Sequence, residues 1–183
     1  MTKSALRSLI RNRLKSVSPI PVAWSQSLVT HLAASPIFRD AQTIALFAPL
    51  PSEPDLALLW PPGHRHFCYP RVSGDQLLFQ KVLSLNDLHP AAWNPLILEP
   101  LEHLDTIPLP QIDLLLVPGL AFTPTGLRLG RGGGYYDRLL SMFPHPNRVV
   151  GVGFQIQICP EIPTETHDQS VASVLTESGF LSL

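Results

Sequence analysis

Cysteine, net charge and long apolar runs are all scarce in this chain of 183 residues, and each scarcity excludes a class of protein. Two cysteines, Cys68 and Cys159, are too few for a small secreted fold held by disulfides, so we expect buried free thiols. A net charge of −1 gives no general affinity for nucleic acid or anionic membranes. No segment approaches the ~20 apolar residues of a membrane span, and the basic N-terminus lacks the apolar run of a signal peptide. We therefore expect a cytoplasmic protein with no nucleic acid or membrane partner.

Two common nucleotide-binding motifs are also missing, although the chain contains a glycine-rich loop. No Lys-Ser or Lys-Thr pair follows the glycines, which excludes a Walker A loop. Gly132-Gly133-Gly134 lacks the spacing of the dinucleotide fingerprint. The sequence offers no Ser-His-Asp or Cys-His arrangement for nucleophilic catalysis either.

The loop itself runs from Gly119 to Gly134, between a predicted buried strand and a predicted helix, and it contains six glycines and two arginines. A loop at the carboxyl end of a strand that leads into a helix N-terminus is a common anion site in α/β proteins. Glycines let a phosphate approach the backbone N–H groups, Arg128 and Arg131 add charged donors, and Asp137 supplies a carboxylate suited to Mg²⁺. Glycines alone are equally typical of tight turns, but the combination favours a phosphate site.

Twenty prolines, about twice the usual share, predict short elements joined by rigid connections. We expect the proline cluster at 90–110 to be an ordered surface loop. Because predicted strands alternate with predicted helices, we expect one α/β domain over residues 1–183, with a mostly parallel sheet covered by helices on both faces. The predicted helices are 3–17, 22–34, 55–60 and 135–143, and the predicted strands are 43–48, 66–69, 76–82, 113–117, 148–154 and a last strand at 171–175.

Several single residues allow two interpretations. Lys3, Arg7 and Arg11 lie four apart on the first helix, as a solvated basic face or as a stripe that reaches toward an anion. Glu53 follows the first strand. It is either a functional residue at the carboxyl edge of the sheet or a charge at the start of the next helix. Trp93 either covers a flat ligand as a lid or covers the core.

The order of the motifs resembles that of 5-formyltetrahydrofolate cyclo-ligases, also called methenyltetrahydrofolate synthetases, over essentially the whole chain. The similar segments are KSALR (3–7), IALFAPLPSEPD (44–55), YPRV (69–72), Trp93 with Glu99-Pro100, GLRLGRGGGYYD (126–137), and Gln157 with Glu165-Thr-His-Asp168. The resemblance implies conversion of 5-formyltetrahydrofolate to 5,10-methenyltetrahydrofolate with ATP and Mg²⁺, releasing ADP and phosphate. It also implies a three-layer fold similar to that of sugar-phosphate isomerases and CoA transferases.

The resemblance further implies roles for individual residues. It implies phosphate catalysis by Lys3, Arg128 and Arg131, and Mg²⁺ binding by Asp137 and Asp168. The implied ATP-binding residues are Lys3, Ser4, Ala5, Leu6, Arg7, Arg128, Leu129, Gly130, Arg131, Gly132, Gly133, Gly134, Tyr135 and Tyr136. The implied folate-binding residues are Ala48, Glu53, Trp93, Gly132, Gly133, Gly134 and Tyr135. Two residues depart from the family pattern: Thr123 replaces an aspartate, with the expected loss of a loop hydrogen bond, and Gly133 stands where some members have lysine.

The expected chemistry fits the side chains available. The formyl oxygen of the folate would attack the γ-phosphate of ATP, N10 would then add to the activated carbon, and phosphate would leave, so the protein needs cations rather than a nucleophile. Two alternatives remain: a folate- or nucleotide-binding protein without turnover, and sugar-phosphate isomerisation on the same fold. We expect a monomer.

Overall fold

The computed structural model describes residues 1–181, and an eight-stranded sheet forms its centre. The strands are β1 (Thr43–Ala45), β2 (His66–Ser73), β3 (Gln76–Val82), β4 (Leu88–Ala91), β5 (Asn94–Pro100), β6 (Thr106–Ile107), β7 (Leu114–Pro118), β8 (Ala121–Phe122), β9 (Arg128–Leu129), β10 (Val149–Val152), β11 (Ser173–Thr176) and β12 (Gly179–Phe180). The α-helices are α1 (Lys3–Ser16), α2 (Val22–Ala34), α3 (Pro36–Arg39) and α4 (Tyr135–Met142). Within the described residues, the main sheet has the order β12-β11-β10-β7-β1-β2-β3-β6, and β4-β5 and β8-β9 form separate hairpins.

The middle of the main sheet is parallel, as the sequence predicted. Strands β2, β1, β7, β10 and β11 pair in parallel, whereas β3 pairs antiparallel with β2, and β12 with β11. The first four residues of β7 are fully buried because helices cover both faces of this region. The α/β class with a mostly parallel sheet is thereby confirmed.

Alternate residues of the central strands point to two separate cores. Leu114 and Leu116 pack in the core that includes Leu28 and Leu32 of α2. Leu115 and Val117 pack instead in the core that includes Leu139 of α4, on the opposite face. Helix α1 belongs to a third cluster, in which Leu6, Ile10 and Leu14 pack against Ala121 and Leu129 of the β8-β9 hairpin. The N-terminal helix is thus anchored beside the glycine-rich loop that continues from β9.

The helix predictions agree well with the structure, and the strand predictions less well. The apolar stripes placed α1 and α2 to within one residue, whereas the predicted helix at 55–60 is a short 3₁₀ turn at Leu56–Leu59. The strands predicted at 43–48 and 148–154 are shorter, because the chain leaves the sheet after Ala45 and Val152. The strand predicted to be the last is followed by β12.

The proline-rich segment was predicted wrongly. Residues 90–110 hold part of β4, all of β5 and the edge strand β6 instead of a continuous loop. A two-stranded ribbon has unpaired outer edges, where a proline loses no ladder hydrogen bond. Pro90 and Pro100 therefore fit within the β4-β5 hairpin.

Two smaller predictions concern the cysteines and the membrane. Both Cys68 and Cys159 are buried free thiols, as expected, and burial raises the pKa of each. In the part of the chain that the structure describes, no helix combines the length and the apolar character needed to cross a bilayer.

Candidate functional site

A cavity of about 430 Å³ opens where β1 and β7 end, at the carboxyl edge of the parallel sheet. Its walls come from the segment after β1, the glycine-rich loop, the start of α4 and the β4-β5 hairpin. The predicted site residues that line it are Ala48, Glu53, Trp93, Arg128, Gly130, Arg131, Gly133, Gly134, Tyr135, Tyr136 and Asp137. Residues predicted for the nucleotide, the folate and the metal thus share one cavity.

Glycine conformation shapes the loop at two positions. Gly132 has φ +116° and Gly134 has φ +69°, values that residues with a Cβ rarely adopt. Gly134 is also the N-cap of α4 and accepts a hydrogen bond from the backbone N–H of Arg138 through its carbonyl oxygen. The first turn of a helix leaves its N–H groups without helical acceptors and favours negative charge. The loop and the start of α4 therefore have a backbone geometry that suits an anion.

Arg128 is a buried cation in the wall of this cavity. Its side chain is 3 % exposed, and its Nη2 donates to Oδ1 of Asp137 at 2.8 Å. A second donor, Nη1, reaches the carbonyl oxygen of Pro118 at 3.3 Å, whereas the buried Nε has no acceptor among the described residues. Burying a charge is costly unless it is paired. The pair with Asp137 compensates this charge inside the wall.

Arg131 and Glu53 are bonded to each other. Nε and Nη2 of Arg131 lie 2.8 and 2.7 Å from Oε1 of Glu53, and Oε2 of Glu53 accepts the N–H of Leu50 at 3.0 Å. Glu53 is only 8 % exposed, which disfavours a solvated charge at a helix start. An arginine predicted for phosphate and a glutamate predicted for folate meet in one ion pair.

Lys3 and Asp168 form a third pair, just outside the residues that line the cavity. Nζ of Lys3 lies 2.7 Å from each carboxylate oxygen of Asp168 and 3.2 Å from Glu165. Burial alone would lower the pKa of Lys3, but the hydrogen bonds and charges of Asp168 and Glu165 outweigh it and raise that pKa. Burial would likewise raise the pKa of Asp168, but Lys3 outweighs it and lowers that pKa. Both groups are therefore charged around neutral pH.

The N-terminal helix reaches the glycine-rich loop with only part of its basic stripe. Nε of Arg7 donates to the carbonyl oxygen of Gly130 at 2.9 Å, which ties α1 to the loop, whereas Arg11 is exposed. Ser4 and Ala5 are exposed as well, whereas the Leu6 side chain is buried in the core and its backbone N–H donates to the carbonyl oxygen of Thr2 at 3.0 Å. The basic stripe therefore reaches the loop through Lys3 and Arg7.

Carboxylate oxygens near the loop have the chemistry that Mg²⁺ prefers. Oδ1 of Asp137 accepts from Arg128 and, at 3.4 Å, from the N–H of Gln169, whereas its Oδ2 accepts no hydrogen bond from residues 1–181. Both oxygens of Asp168 are engaged, by Lys3 and by the N–H of Glu165. Asp137 thus fits a metal ligand as it stands, and Asp168 fits one once Lys3 is drawn away.

Tyr135 and Tyr136 begin α4 and line the cavity, as predicted. The Arg128 guanidinium lies 5.7 Å from the centre of the Tyr136 ring. Burial and the charge of Glu53 raise the pKa of Tyr136, so its hydroxyl stays protonated at neutral pH. The protonated phenol is therefore a hydrogen-bond donor.

One wall of the cavity was missed by the sequence reasoning. Asn94, Ile97, Leu98 and Glu99 of β5 line the cavity next to Trp93, which is 53 % exposed at the turn of the hairpin. Such exposure is inconsistent with a core-covering role for Trp93. The motif of Trp93 with Glu99-Pro100 could have pointed to this wall. The segment was predicted to be a loop, however, so the strand that carries Glu99 and Pro100 was not recognised.

Two residues of the family pattern stabilise the loop through hydrogen bonds to its backbone. Gln157 is buried, and its amide donates to the carbonyl oxygens of Gly119 and Leu120 at 2.9 and 3.1 Å, which fixes the start of the loop. Thr123, expected to cost a loop hydrogen bond, instead accepts the N–H of Leu127 through its hydroxyl at 3.0 Å. The threonine thus makes a loop hydrogen bond through its hydroxyl, so the expected loss is not seen at this position.

Comparisons with known proteins agree with one another. The model of the 5-formyltetrahydrofolate cyclo-ligase family matches residues 1–177. The chain is 31 % identical over 184 aligned positions to 5-formyltetrahydrofolate cyclo-ligase of Escherichia coli (strain K12), covering 93 % of this chain and 97 % of the relative.

Two solved structures are similar throughout their length. The 5,10-methenyltetrahydrofolate synthetase of Aquifex aeolicus superposes with a TM-score of 0.84 at 30 % identity, over all of this chain and 93 % of the other. The 5,10-methenyltetrahydrofolate synthetase of Mycoplasma pneumoniae gives a TM-score of 0.75 at 24 % identity, over 97 % of this chain and 99 % of the other. At that identity the second comparison supports the fold.

Proposed function

Because the chain belongs to the 5-formyltetrahydrofolate cyclo-ligase family, we propose that this enzyme cyclises 5-formyltetrahydrofolate to 5,10-methenyltetrahydrofolate with consumption of ATP. The observation that carries the proposal is the Arg131–Glu53 pair, which joins the glycine-rich loop to the segment after β1 across one cavity. Phosphate and folate would then lie in contact, as a direct transfer between them requires.

The proposed reaction has two steps. The formyl oxygen attacks the γ-phosphate of ATP, forming the C–O–P linkage of an iminium phosphate and breaking the bond to the ADP oxygen. N10 then adds to the activated formyl carbon and loses its proton, and the carbon–oxygen bond breaks to release phosphate. The folate itself is the nucleophile in both steps, which agrees with a cavity whose walls supply charge and hydrogen bonds.

The cations of the site would stabilise the transferring phosphoryl group. Arg128 presents a charge that its surroundings already hold in place, so little reorganisation is needed during the reaction. Arg131 and Lys3 would reach the phosphates after release from their carboxylates, and the glycine-rich loop would present backbone N–H groups to them. Tyr135, Trp93 and Glu53 would position the folate, Glu53 by accepting hydrogen bonds from the pterin N–H groups.

Mg²⁺ bound with ATP would neutralise charge on the phosphates, and Asp137 and Asp168 are the residues that would hold it. The three ion pairs support this assignment as a set. Each joins a predicted phosphate cation to a carboxylate that is predicted for the metal or the folate. Bound ATP would attract Lys3 and Arg131, which would leave Asp168 for Mg²⁺ and Glu53 for the pterin, whereas Asp137 would offer its Oδ2 to Mg²⁺ while its Oδ1 stays bonded to Arg128.

The test follows formation of the methenyl product by its near-ultraviolet absorbance. Purified protein is mixed with 5-formyltetrahydrofolate, MgCl₂ and ATP, and matched reactions omit ATP or MgCl₂. We expect an absorbance rise only in the complete mixture, together with one ADP for each product molecule. Binding of both ligands without product would favour a non-catalytic binding protein, and turnover of a sugar phosphate without ATP would favour isomerisation.

The quaternary state and the fold relationship complete the proposal. We propose that residues 1–183 act as a single domain and as a monomer, which light scattering at the assay concentration would test. The relationship to the sugar-phosphate isomerase and CoA transferase fold, and the cytoplasmic location, stay predictions from the sequence.

A further inference from the structure

Arg138 makes contacts that none of the proposed steps uses. It lies in the first half of α4, and its Nε donates to the carbonyl oxygen of Asp75 at 2.8 Å. Its Nη2 donates to the carbonyl oxygen of Gly133 at 3.2 Å. The guanidinium also lies 5.0 Å from the centre of the Tyr135 ring, within the range of a cation–π contact. One side chain therefore contacts two segments that adjoin the cavity.

The contact with Asp75 gives this arrangement a fixed base. Asp75 lies in the tight turn between β2 and β3, where Gly74 has φ +61°. That hairpin is paired along seven registered positions of the main sheet. Arg138 thus connects the Gly132-Gly133-Gly134 segment, whose residues have wide backbone freedom, to the β2-β3 hairpin.

The contact with Gly133 determines which way one peptide group faces. In a trans peptide the carbonyl oxygen and the following N–H point in opposite directions. Since the Gly133 carbonyl oxygen accepts from Arg138, the N–H of Gly134 points away from Arg138. Gly133 and Gly134 both line the cavity, and neither has a Cβ to resist rotation of this peptide. The hydrogen bond from Arg138 supplies that resistance.

We propose that Arg138 is a positioning residue, which fixes the Gly133–Gly134 peptide and the Tyr135 ring so that the Gly134 N–H is available to a phosphate oxygen. The proposal rests on the nucleotide site described above. It concerns ATP more than folate, because the loop amides face the phosphates. Arg138 does not itself bind the phosphate, since two of its nitrogens are already bound to backbone carbonyl oxygens.

The experiment compares the wild type with Arg138→Met and Arg138→Lys. Arg148→Met is the matched control, because Arg148 is half-buried and its side chain makes no hydrogen bond to residues 1–181. Calorimetry measures the dissociation constants of MgATP and of 5-formyltetrahydrofolate separately, and thermal unfolding checks the fold. We expect Arg138→Met to weaken MgATP binding about tenfold, the effect of losing one hydrogen bond to a charged group. Folate binding should weaken less, by about threefold, through the lost contact between Arg138 and the Tyr135 ring.

Arg138→Lys should restore little of the MgATP affinity, because one ammonium group cannot reproduce the planar guanidinium that bonds both carbonyl oxygens. In ¹⁵N spectra, MgATP should shift the Gly134 amide of the wild type strongly and that of Arg138→Met weakly. A variant that binds MgATP as the wild type does, or that loses thermal stability alone, would overturn the proposal. If the wild type itself binds no MgATP, the proposed function fails instead, which separates the two results.

Discussion

At the scale of single residues, ion pairs compensate the charges that the site holds before ligands bind. Arg128, Arg131 and Lys3 each contact a carboxylate within 2.8 Å. Unpaired arginines in a half-enclosed cavity would repel one another, and unpaired carboxylates would raise the cost of burial. Pairing removes both costs, and an incoming triphosphate offers the cations a stronger partner than one carboxylate does.

The first prediction concerns the buried pair. Asp137→Asn leaves the Arg128 guanidinium uncompensated at 3 % exposure, so we expect a loss of about 3 kcal/mol in the free energy of unfolding. Arg128→Met combined with Asp137→Asn removes both charges and should recover most of that loss, while turnover stays low. Urea unfolding and the product assay measure the two effects. Equal stability of the single and double variants would contradict a charge-pair role.

The second prediction concerns Glu53→Gln. The amide keeps the shape of the side chain but loses the charge that, in the proposed function, would attract the pterin N–H groups, so we expect folate binding to weaken about tenfold. MgATP binding should be unchanged or tighter, because Arg131 loses its competitor. Calorimetry with each ligand alone distinguishes these outcomes. Equal weakening of both ligands would instead indicate that Glu53 supports the loop through Leu50.

The third prediction concerns pH. Lys3 lowers the pKa of Asp168 below its ordinary value of 3.8, so the folded state gains stability from this carboxylate above that pH and loses it as the pH falls further. The pKa of Lys3 is raised above its ordinary value of 10.5, so Lys3 stays charged and paired up to at least that pH. Asp168→Asn should therefore lower stability by about 1 kcal/mol at most near neutrality, and the difference should shrink below pH 3.8.

Urea unfolding between about pH 3 and pH 7 measures this difference. Asp105→Asn is the control, since Asp105 is exposed and its carboxylate accepts no hydrogen bond within residues 1–181. A difference between the wild type and Asp168→Asn that stays constant down to the lowest pH would contradict the pairing with Lys3.

At the scale of elements, two glycines of the loop with positive φ differ in the space around them. Gly126 has φ +84°, and a Cβ there would collide with the backbone oxygen of Val171. Gly132 has φ +116°, but the space around a Cβ there is open apart from Cζ of Arg7 at 4.0 Å. The two glycines should therefore respond differently to the same substitution.

The fourth prediction compares these glycines. Gly126→Ala should lower the free energy of unfolding by at least about 2 kcal/mol, because strain in φ adds to a collision with fixed backbone. Gly132→Ala should cost about 1 kcal/mol from φ alone but should impair MgATP binding by distorting the loop. Chemical unfolding and calorimetry provide the two measurements. Stability loss of similar size in both variants would contradict this division.

The elements also show what local sequence could predict. Helix α1 was predictable because Leu6, Ile10 and Leu14 recur at helical spacing, and their buried side chains confirm that stripe. The β4-β5 hairpin was not, because its prolines are usually read as loop residues and only its unpaired edges make them acceptable. Because of Pro90 and Pro100, the hairpin that forms one wall of the cavity was predicted to be a loop.

At the scale of the whole molecule, the sequence indicated the residues of the candidate site but not how they pair. Lys3 meets Asp168 across 165 positions of chain, and Arg131 meets Glu53 across 78. Periodicity and spacing in the sequence do not predict contacts between residues so far apart in the chain. These contacts follow from the order of strands in the sheet and from the packing of α1 against the β8-β9 hairpin. Motif order could place these residues at one edge of the sheet, and packing then decided their partners.

The unequal surroundings of the three tryptophans have a practical consequence. Trp24 packs against Phe154 and Trp60 against Phe67, whereas Trp93 stands 53 % exposed at the mouth of the cavity. The emission of Trp93 should be red-shifted relative to the other two, and a pteridine seated beside it should quench it. A fluorescence titration would then report occupancy directly, and Trp93→Phe should abolish most of the signal. The chain thus carries its own optical probe of folate binding, with no need for a dye.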